Sequence, residues 1–528
     1  MKNKRIVGLM MSLSYLTLSC EQREYISPSS TKIEIENPKA SLQAAFAKAL
    51  AKAIQEDSEL RSFIKNKATK KFDKDYDVLY QMVKDEPIHN GATFHERLKK
   101  YMDLNSQLEL IEQELPLLTI FIPTLPSGFS PESWQVETEI PSVATSMDGS
   151  NDVPFYDATG KRNVIKPGEI PGFPIIVIKQ NERVAVGEIN NASNESSNLQ
   201  FYNKGIFTFR FANKAYDGIH QVASRGAYDP RESYPPGTNV PMLDPVNVDA
   251  WRISNSSGNA NNPPWQRDYV YYGIEPSVPN GTLRRVFRET LRSIKFSEAA
   301  LYRMADQSGA GLGDPTYRDG TPYWTEGEFE FRMTVLYGAK NGTGADIPRI
   351  FTARLEDLYA ITYSRYRANR FDDYYYSINT VTPKEFHPET EIITWDLENF
   401  GDTWRFQFHE EDSSVESTVT TQVTSTYSEN FEFNAMAGNE KLKIGAKFGT
   451  SNTQQLTQTV SYKITQGSDD LGASTLSFDQ PVIIGTEMQW FTEPDGGQVL
   501  RFKYLTHEIT GGGAAGLYFG SVEPVRYF

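Results

Sequence analysis

Residues 415–464 read VESTVTTQVTSTYSENFEFNAMAGNEKLKIGAKFGTSNTQQLTQTVSYKI, and their period of two decides how the C-terminal part of the chain folds. On the outgoing half, Val415, Ser417, Val419, Thr421, Val423, Ser425, Tyr427, Phe431, Phe433 and Ala435 share one parity, with Glu429 as its charged exception. The other parity, from Glu416 through Thr418, Thr420, Gln422, Thr424 and Thr426 to Asn434, is wholly polar. Gly438 and Asn439 supply turn residues. On the return half Leu442, Ile444, Ala446, Phe448, Leu456, Val460, Tyr462 and Ile464 fall on a single parity, interrupted by Asn452 and Gln454. Lys441, Lys443, Lys447, Gln455, Thr457, Thr459 and Lys463 fall on the opposite one. Successive strand side chains point to opposite faces, so the stretch reads as a β-hairpin with one apolar and one polar face. Ordinary strands run ~5–6 residues. At about 3.4 Å per residue this return strand would reach roughly 80 Å.

Upstream of the hairpin, strand-like runs dominate as far back as residue 116, and many of the 28 Tyr and 30 Phe fall in short alternations. Leu117–Pro123 and Trp134–Ile140 read as strands, Pro174–Ile178 as a hairpin with Val184–Val186, and Phe201–Phe211 and Glu328–Tyr337 as further strands. Thr282–Asp306 carries Leu283, Phe287, Leu291 and Ile294 at helical spacing. Asn213–Arg267 is a long stretch dense in Pro, Gly, Asn and Ser, with Tyr234, Trp251 and Trp265 embedded in it. Between Asn37 and Leu115 the pattern is helical. Pro38 stands at a first helical position, Asp57 or Ser58 caps a second helix, and Thr93 with Glu96 makes a capping box. The fold class expected is α+β. A small helical N-terminal domain (37–115) precedes a larger antiparallel β-rich, sandwich-like body (116–380). A C-terminal β domain (381–528) follows and contains the long hairpin 415–464.

The first twenty residues read as an export signal. Lys2, Lys4 and Arg5 precede an uncharged, mostly apolar run from Ile6 to Leu18, which is shorter than the roughly 20 residues a spanning helix needs. The run ends at Leu16-Thr17-Leu18-Ser19-Cys20, and Cys20 is the only cysteine. This segment resembles that of bacterial lipoproteins, in which a peptidase cuts before a cysteine that carries lipid. Thr17 stands where those proteins usually have Leu. The resemblance implies a signal peptide (1–19), a lipid anchor on Cys20 followed by a tether (20–36), and a place in the outer membrane or at the cell surface. With a single cysteine no intramolecular disulfide forms, so packed cores must hold the fold. The net charge of −15 argues against nucleic acid, whose phosphates need concentrated Lys and Arg.

Catalytic signatures are lacking. The six histidines form no His-Glu-x-x-His pair, and the chain has neither a Gly-x-Ser-x-Gly elbow nor a Walker-type loop. Three acidic groups remain. Asp73, Asp75 and Asp77 read as a solvated cluster at a helix start, and Asp148, Asn151, Asp152 and Asp157 as a polar turn. Asp396, Asp402, Glu410 and Asp412 flank the strand at Trp404–Phe408 and form the candidate calcium set; no other cofactor is expected.

The Ser/Thr-rich hairpin resembles the membrane-inserting segment of aerolysin-type pore-forming proteins. That resemblance implies membrane-facing side chains at Val415, Val419, Val423, Tyr427, Phe431, Leu442, Ile444, Phe448, Val460 and Ile464, and a polar lumen. Three functions follow from the sequence. The first is a non-enzymatic surface lipoprotein that binds a protein or glycan through aromatic-rich loops such as Tyr234–Trp265. The second is an aerolysin-like pore. The third is a hydrolase whose acidic residues assemble only in the fold.

Overall fold

The computed structural model describes residues 38–527, except 90, 105, 147–151, 189–198, 206, 221–242, 257–262, 279–280, 305–322, 326, 340–343, 368–372, 398, 412–415, 429–452, 466–467, 493–495 and 514–515. The fold is mixed, with helices first and several mostly antiparallel sheets after them.

The Ala-rich helix Pro38–Glu56 buries Phe46, Ala47, Ala49, Leu50, Ala51, Ala53 and Ile54. Ala side chains on several sides let it lie close to its neighbours, which a single apolar stripe would not require. The next helix, Ser58–Ala68, is capped by Asp57, whose Oδ1 accepts from Leu60 N at 2.9 Å. Thr93 and Glu96 form the expected capping box at Phe94–Lys99. These helices do not enclose a core of their own. The chain passes from Asp77–Leu79 into the edge of a six-stranded sheet. That sheet continues through Leu118–Phe121, Ile175–Gln180, Ser142–Thr145, Val153–Tyr156 and Arg162–Ile165. The first helix packs on its middle strands. One continuous core runs from Phe46 to Val522, and residues 38–528 form one compact unit, so the expected boundaries at 115/116 and 380/381 do not separate cores.

Two four-stranded sheets carry the body. One has the order Gly344–Ala353, Phe329–Ala339, Phe400–Glu410, Asp469–Ser477; the other Thr390–Glu391, Phe287–Phe296, Tyr518–Arg526, Glu508–Gly511. Rings from the two meet: Phe331 stacks on Phe296 at 4.7 Å, and Phe408 lies 4.4 Å from Tyr518.

Four local expectations change. Thr282–Asp306 is the strand Phe287–Phe296 followed by the helix Glu298–Met304. The register shifts between Leu291 and Ser293, and this bulge turns a spacing of three into the same face, so Leu291 and Ile294 are both buried as a helix would have buried them. Ile175–Gln180 and Val184–Glu188 do not pair: the first is buried in the six-stranded sheet, while the second pairs with Phe207–Phe211. Phe201–Phe211 is itself a hairpin, Gln200–Lys204 against Phe207–Phe211. Trp134–Ile140 forms turns, with the Trp134 indole donating to Glu139 O at 3.0 Å.

Candidate functional site

The hairpin is present as two strands, Glu416–Ser428 and Thr453–Thr465. They pair without a slip from Glu416↔Thr465 to Ser428↔Thr453. They form a separate two-stranded sheet that lies across the outer face of the Gly344–Ser477 sheet, here called the platform. The parity read from sequence holds. Val423, Val460 and Tyr462 are buried and Val419 and Ile464 half-buried, whereas Thr418, Thr420, Gln422, Thr424, Gln455, Thr457, Thr459, Ser461 and Lys463 are exposed. On the wet face the Thr424 and Thr457 hydroxyls meet at 2.8 Å. Of the remaining membrane-facing candidates, Val415, Phe431, Leu442, Ile444 and Phe448 lie outside the described residues, as does the turn at Gly438-Asn439. Tyr427 is described by its backbone only.

What the hairpin lies on is unusual. One parity of the platform, Phe331, Met333, Val335, Trp404, Phe406 and Phe408, belongs to the main core. The other parity faces the hairpin and reads Arg332, Thr334, Leu336 on one strand and Thr403, Arg405, Gln407, His409 on its neighbour. Leu336 alone of these joins the apolar cluster with Val423, Val460 and Tyr462. Polar groups fill the rest. Gln458 Nε2 donates to Ala339 O at 2.9 Å, Ser425 Oγ to Thr403 O at 3.0 Å, and Thr426 N to Asp402 Oδ1 at 2.9 Å. Thr334 Oγ1, Arg405 Nε, His409 Nδ1 and Thr465 Oγ1 are buried in this region without hydrogen-bond partners. Each buried unpaired polar atom costs about 1–3 kcal/mol. The apolar face of the hairpin is therefore covered by a surface that is largely polar.

His409 makes that contact pH-dependent. It is flanked by Arg332 from the paired strand, by Asp470 (Nε2 to Oδ1, 4.0 Å) and by the Tyr462 ring of the hairpin at 6.3 Å. Burial, against Asp470 and with Arg332, holds the imidazole below its ordinary value of 6.5. The docked form thus binds protons less readily than a detached one, and docking weakens as pH falls through 6.5 toward the lowered value. Asp402 works the other way: burial raises its carboxyl, so its protonation at lower pH favours docking. The protection factors of the amides at 419–425, taken against the intrinsic exchange rate at each pH, are expected to fall between pH 7.5 and 5.5 in the parent and to change less in His409→Gln. Equal pH responses in the two would show that His409 is not the sensor.

The other sequence candidates are distributed differently. Asp396 bonds Arg285 (3.3 Å) and Asn399 (3.0 Å), Asp402 caps the hairpin, Glu410 is buried on its strand, and Asp412 lies outside the described residues. Among the described residues no three acidic, His or Cys side chains are placed to hold a metal. Asp73, Asp75 and Asp77 are not solvated: all three are buried around Lys179, Asn181 and Arg183. Asn181 Nδ2 reaches Asp73 at 2.8 Å and Asp77 at 3.2 Å. Arg183 is hydrogen-bonded to Glu330, and Asp75 accepts from Glu328 N at 3.0 Å. Burial raises Asp73 and Asp77 and pushes Glu330 up to about 8. The cationic partners of Asp73, Asp75 and Asp77, Lys179 and Arg183, lie more than 100 residues downstream, outside any local reading. In the described part of the aromatic stretch, Trp251 sits on the helix Pro245–Ser254 against Tyr504, and Trp265 packs on Phe478. Tyr234 lies outside the described residues.

One feature escaped the sequence reading. Ile483–Thr492 and Gln498–Thr506 form a second two-stranded ribbon that exposes Ile484, Met488, Trp490, Val499 and Leu500. The alternation Met488-Gln489-Trp490 against Leu500 was its signal. Comparison of the chain with protein-family models, with curated proteins and with solved structures gives no match.

Proposed function

We propose that the protein is a membrane-inserting, β-barrel pore-forming protein whose hairpin is stored against a sandwich-like body. The observation that carries this reading is the apolar parity of the hairpin lying on a largely polar platform, with unpaired polar atoms beneath it. A permanent strand pair would rest on an apolar face, as the core side of the same platform does. Each strand already pairs over 13 residues, and a membrane-crossing β-strand needs about 9–11. The Ser/Thr parity would face the lumen and the apolar parity the lipid. Glu429 then belongs outside the hydrocarbon layer, because a charge facing lipid is costly at the bilayer midplane and tolerated near the interface. Incubation with dye-loaded liposomes should give dye release together with a high-mass oligomer; an intact dye load and a monomer would refute the pore.

Export with a lipid on Cys20 is part of the same proposal, and a second acyl chain on such an anchor makes membrane attachment durable. Expression in a bacterial host should place the parent in the detergent phase of a Triton X-114 partition. Cys20→Ser should move to the aqueous phase, and its retention in the detergent phase would remove the anchor. The reading as a surface protein that binds through aromatic loops draws less support, because Trp251 and Trp265 are half-buried, each against another ring of the chain.

A further inference from the structure

The ribbon Ile483–Thr492 with Gln498–Thr506 is a sheet of two strands. Among the described residues neither outer edge is paired. Its base is fastened: Val482 and Ile483 are buried, their N–H groups donate to Gln266 Oε1 at 3.0 and 2.8 Å, and Tyr504 meets Trp251 edge-on at 5.6 Å. Beyond the base, the described side chains Thr486–Trp490 and Gln498–Leu500 are exposed. The register sets Trp490 opposite Leu500 and Met488 opposite Phe502, with Thr486 opposite Tyr504 on the same parity. Trp490 is 63 % exposed, Met488 49 % and Leu500 43 %, and Ile484, at the bulge, 57 %. On the other parity Glu487 stands opposite Lys503 and Gln489 opposite Arg501. An isolated two-stranded ribbon is marginally stable in water, so an apolar face of this size on one calls for a partner.

We infer that this ribbon is the element by which the folded body first touches the bilayer it inserts into, with Trp490, Met488 and Leu500 entering the interface of a zwitterionic lipid surface. Three observations select lipid. The exposed apolar side chains together present on the order of 500 Å², given roughly 150–250 Å² for a large side chain. That is below the ~800 Å² per partner of a standard protein interface. A bilayer needs no matching surface, and Trp is enriched at its interface. Glu487, Glu493 and Asp495 against Arg501 and Lys503 give the ribbon and its turn a formal charge of −1, so it has no cationic surplus that would call for an anionic headgroup layer. The inference rests on the membrane-acting reading above and adds the point of first contact, which the stored hairpin does not supply.

The test uses the full chain carrying Cys20→Ser, so that no acyl chain contributes, with vesicles of pure phosphatidylcholine. Binding by flotation and dye release are read separately. The parent should float with the vesicles, and Trp490→Ser combined with Leu500→Ser should reduce the bound fraction at least tenfold while leaving the unfolding midpoint unchanged. Gln489→Ser, on the opposite parity, should bind as the parent does. A double variant that floats as well as the parent overturns the inference, and so does a parent that stays in solution as a dimer which the double variant dissociates. Binding lost with Trp490 in a parent that never releases dye supports the docking ribbon while refuting the pore. Dye release undiminished in the double variant does the reverse.

Discussion

Arg267→Ala is expected to destabilise the fold by about 3–5 kcal/mol, the usual cost of stranding one partner of a buried ion pair. Both groups are fully buried: Arg267 Nε lies 2.8 Å from Glu289 Oε1, and its Nη2 lies 3.1 Å from Oε2. The guanidinium also donates to Gln480 O at 2.8 Å and Val522 O at 3.1 Å, and it lies over the Trp395 ring. It thereby ties the helix Gln266–Tyr272 to the strands Phe287–Phe296 and Tyr518–Arg526. Removing it leaves the Glu289 carboxyl buried without its cationic partner, with Tyr271 still donating to it. Arg267→Met together with Glu289→Leu should recover most of the loss, since apolar replacement of a whole buried pair is often neutral. Guanidinium unfolding followed by tryptophan emission measures both. A single-variant loss below about 1 kcal/mol would place the pair outside the stabilising core.

The second large effect concerns the hairpin. An ideal Cβ built on Gly344, on the platform edge, falls 3.3 Å from the Val460 Cβ. Disulfides hold their Cβ atoms about 3.5–4.5 Å apart, so Gly344→Cys with Val460→Cys should close a bridge with little adjustment. In a Cys20→Ser background the oxidised protein should keep its fold and lose dye release to background, and a thiol reductant should restore it. Each single variant should release dye. Full release by the oxidised double variant would mean that the hairpin need not leave the platform.

Part of this was legible in the sequence. The hairpin parity was, because a period of two kept over many residues reports which side is dry whatever covers it. The caps at Asp57 and Thr93 were legible for a similar reason: they are settled within three residues. The cover on the hairpin was not. Its polarity depends on strand pairing that sets Arg332 opposite His409 and puts Arg405 on the same face, which no local window shows. The same holds for Asp73, Asp75 and Asp77, whose charges alone suggest solvent until Lys179 and Arg183 arrive from another strand. Helical spacing at Phe287, Leu291 and Ile294 misled because a bulge reproduces it in a strand. The ribbon at Ile483–Thr506 had a readable alternation, but exposure on a free ribbon and burial in a sheet share that pattern.

In the proposed pore, one face of the hairpin leaves the platform for lipid. That movement is tested most directly by an environment-sensitive dye placed in turn at Val423→Cys, Val460→Cys and Thr459→Cys in the Cys20→Ser chain, with liposomes added. Dye at 423 and 460 should shift to the blue and be quenched by spin labels within the acyl region, while dye at 459 should stay accessible to a water-soluble quencher. Identical behaviour at 459 and 460, or no change at 423 and 460 while the protein is membrane-bound, would contradict that movement.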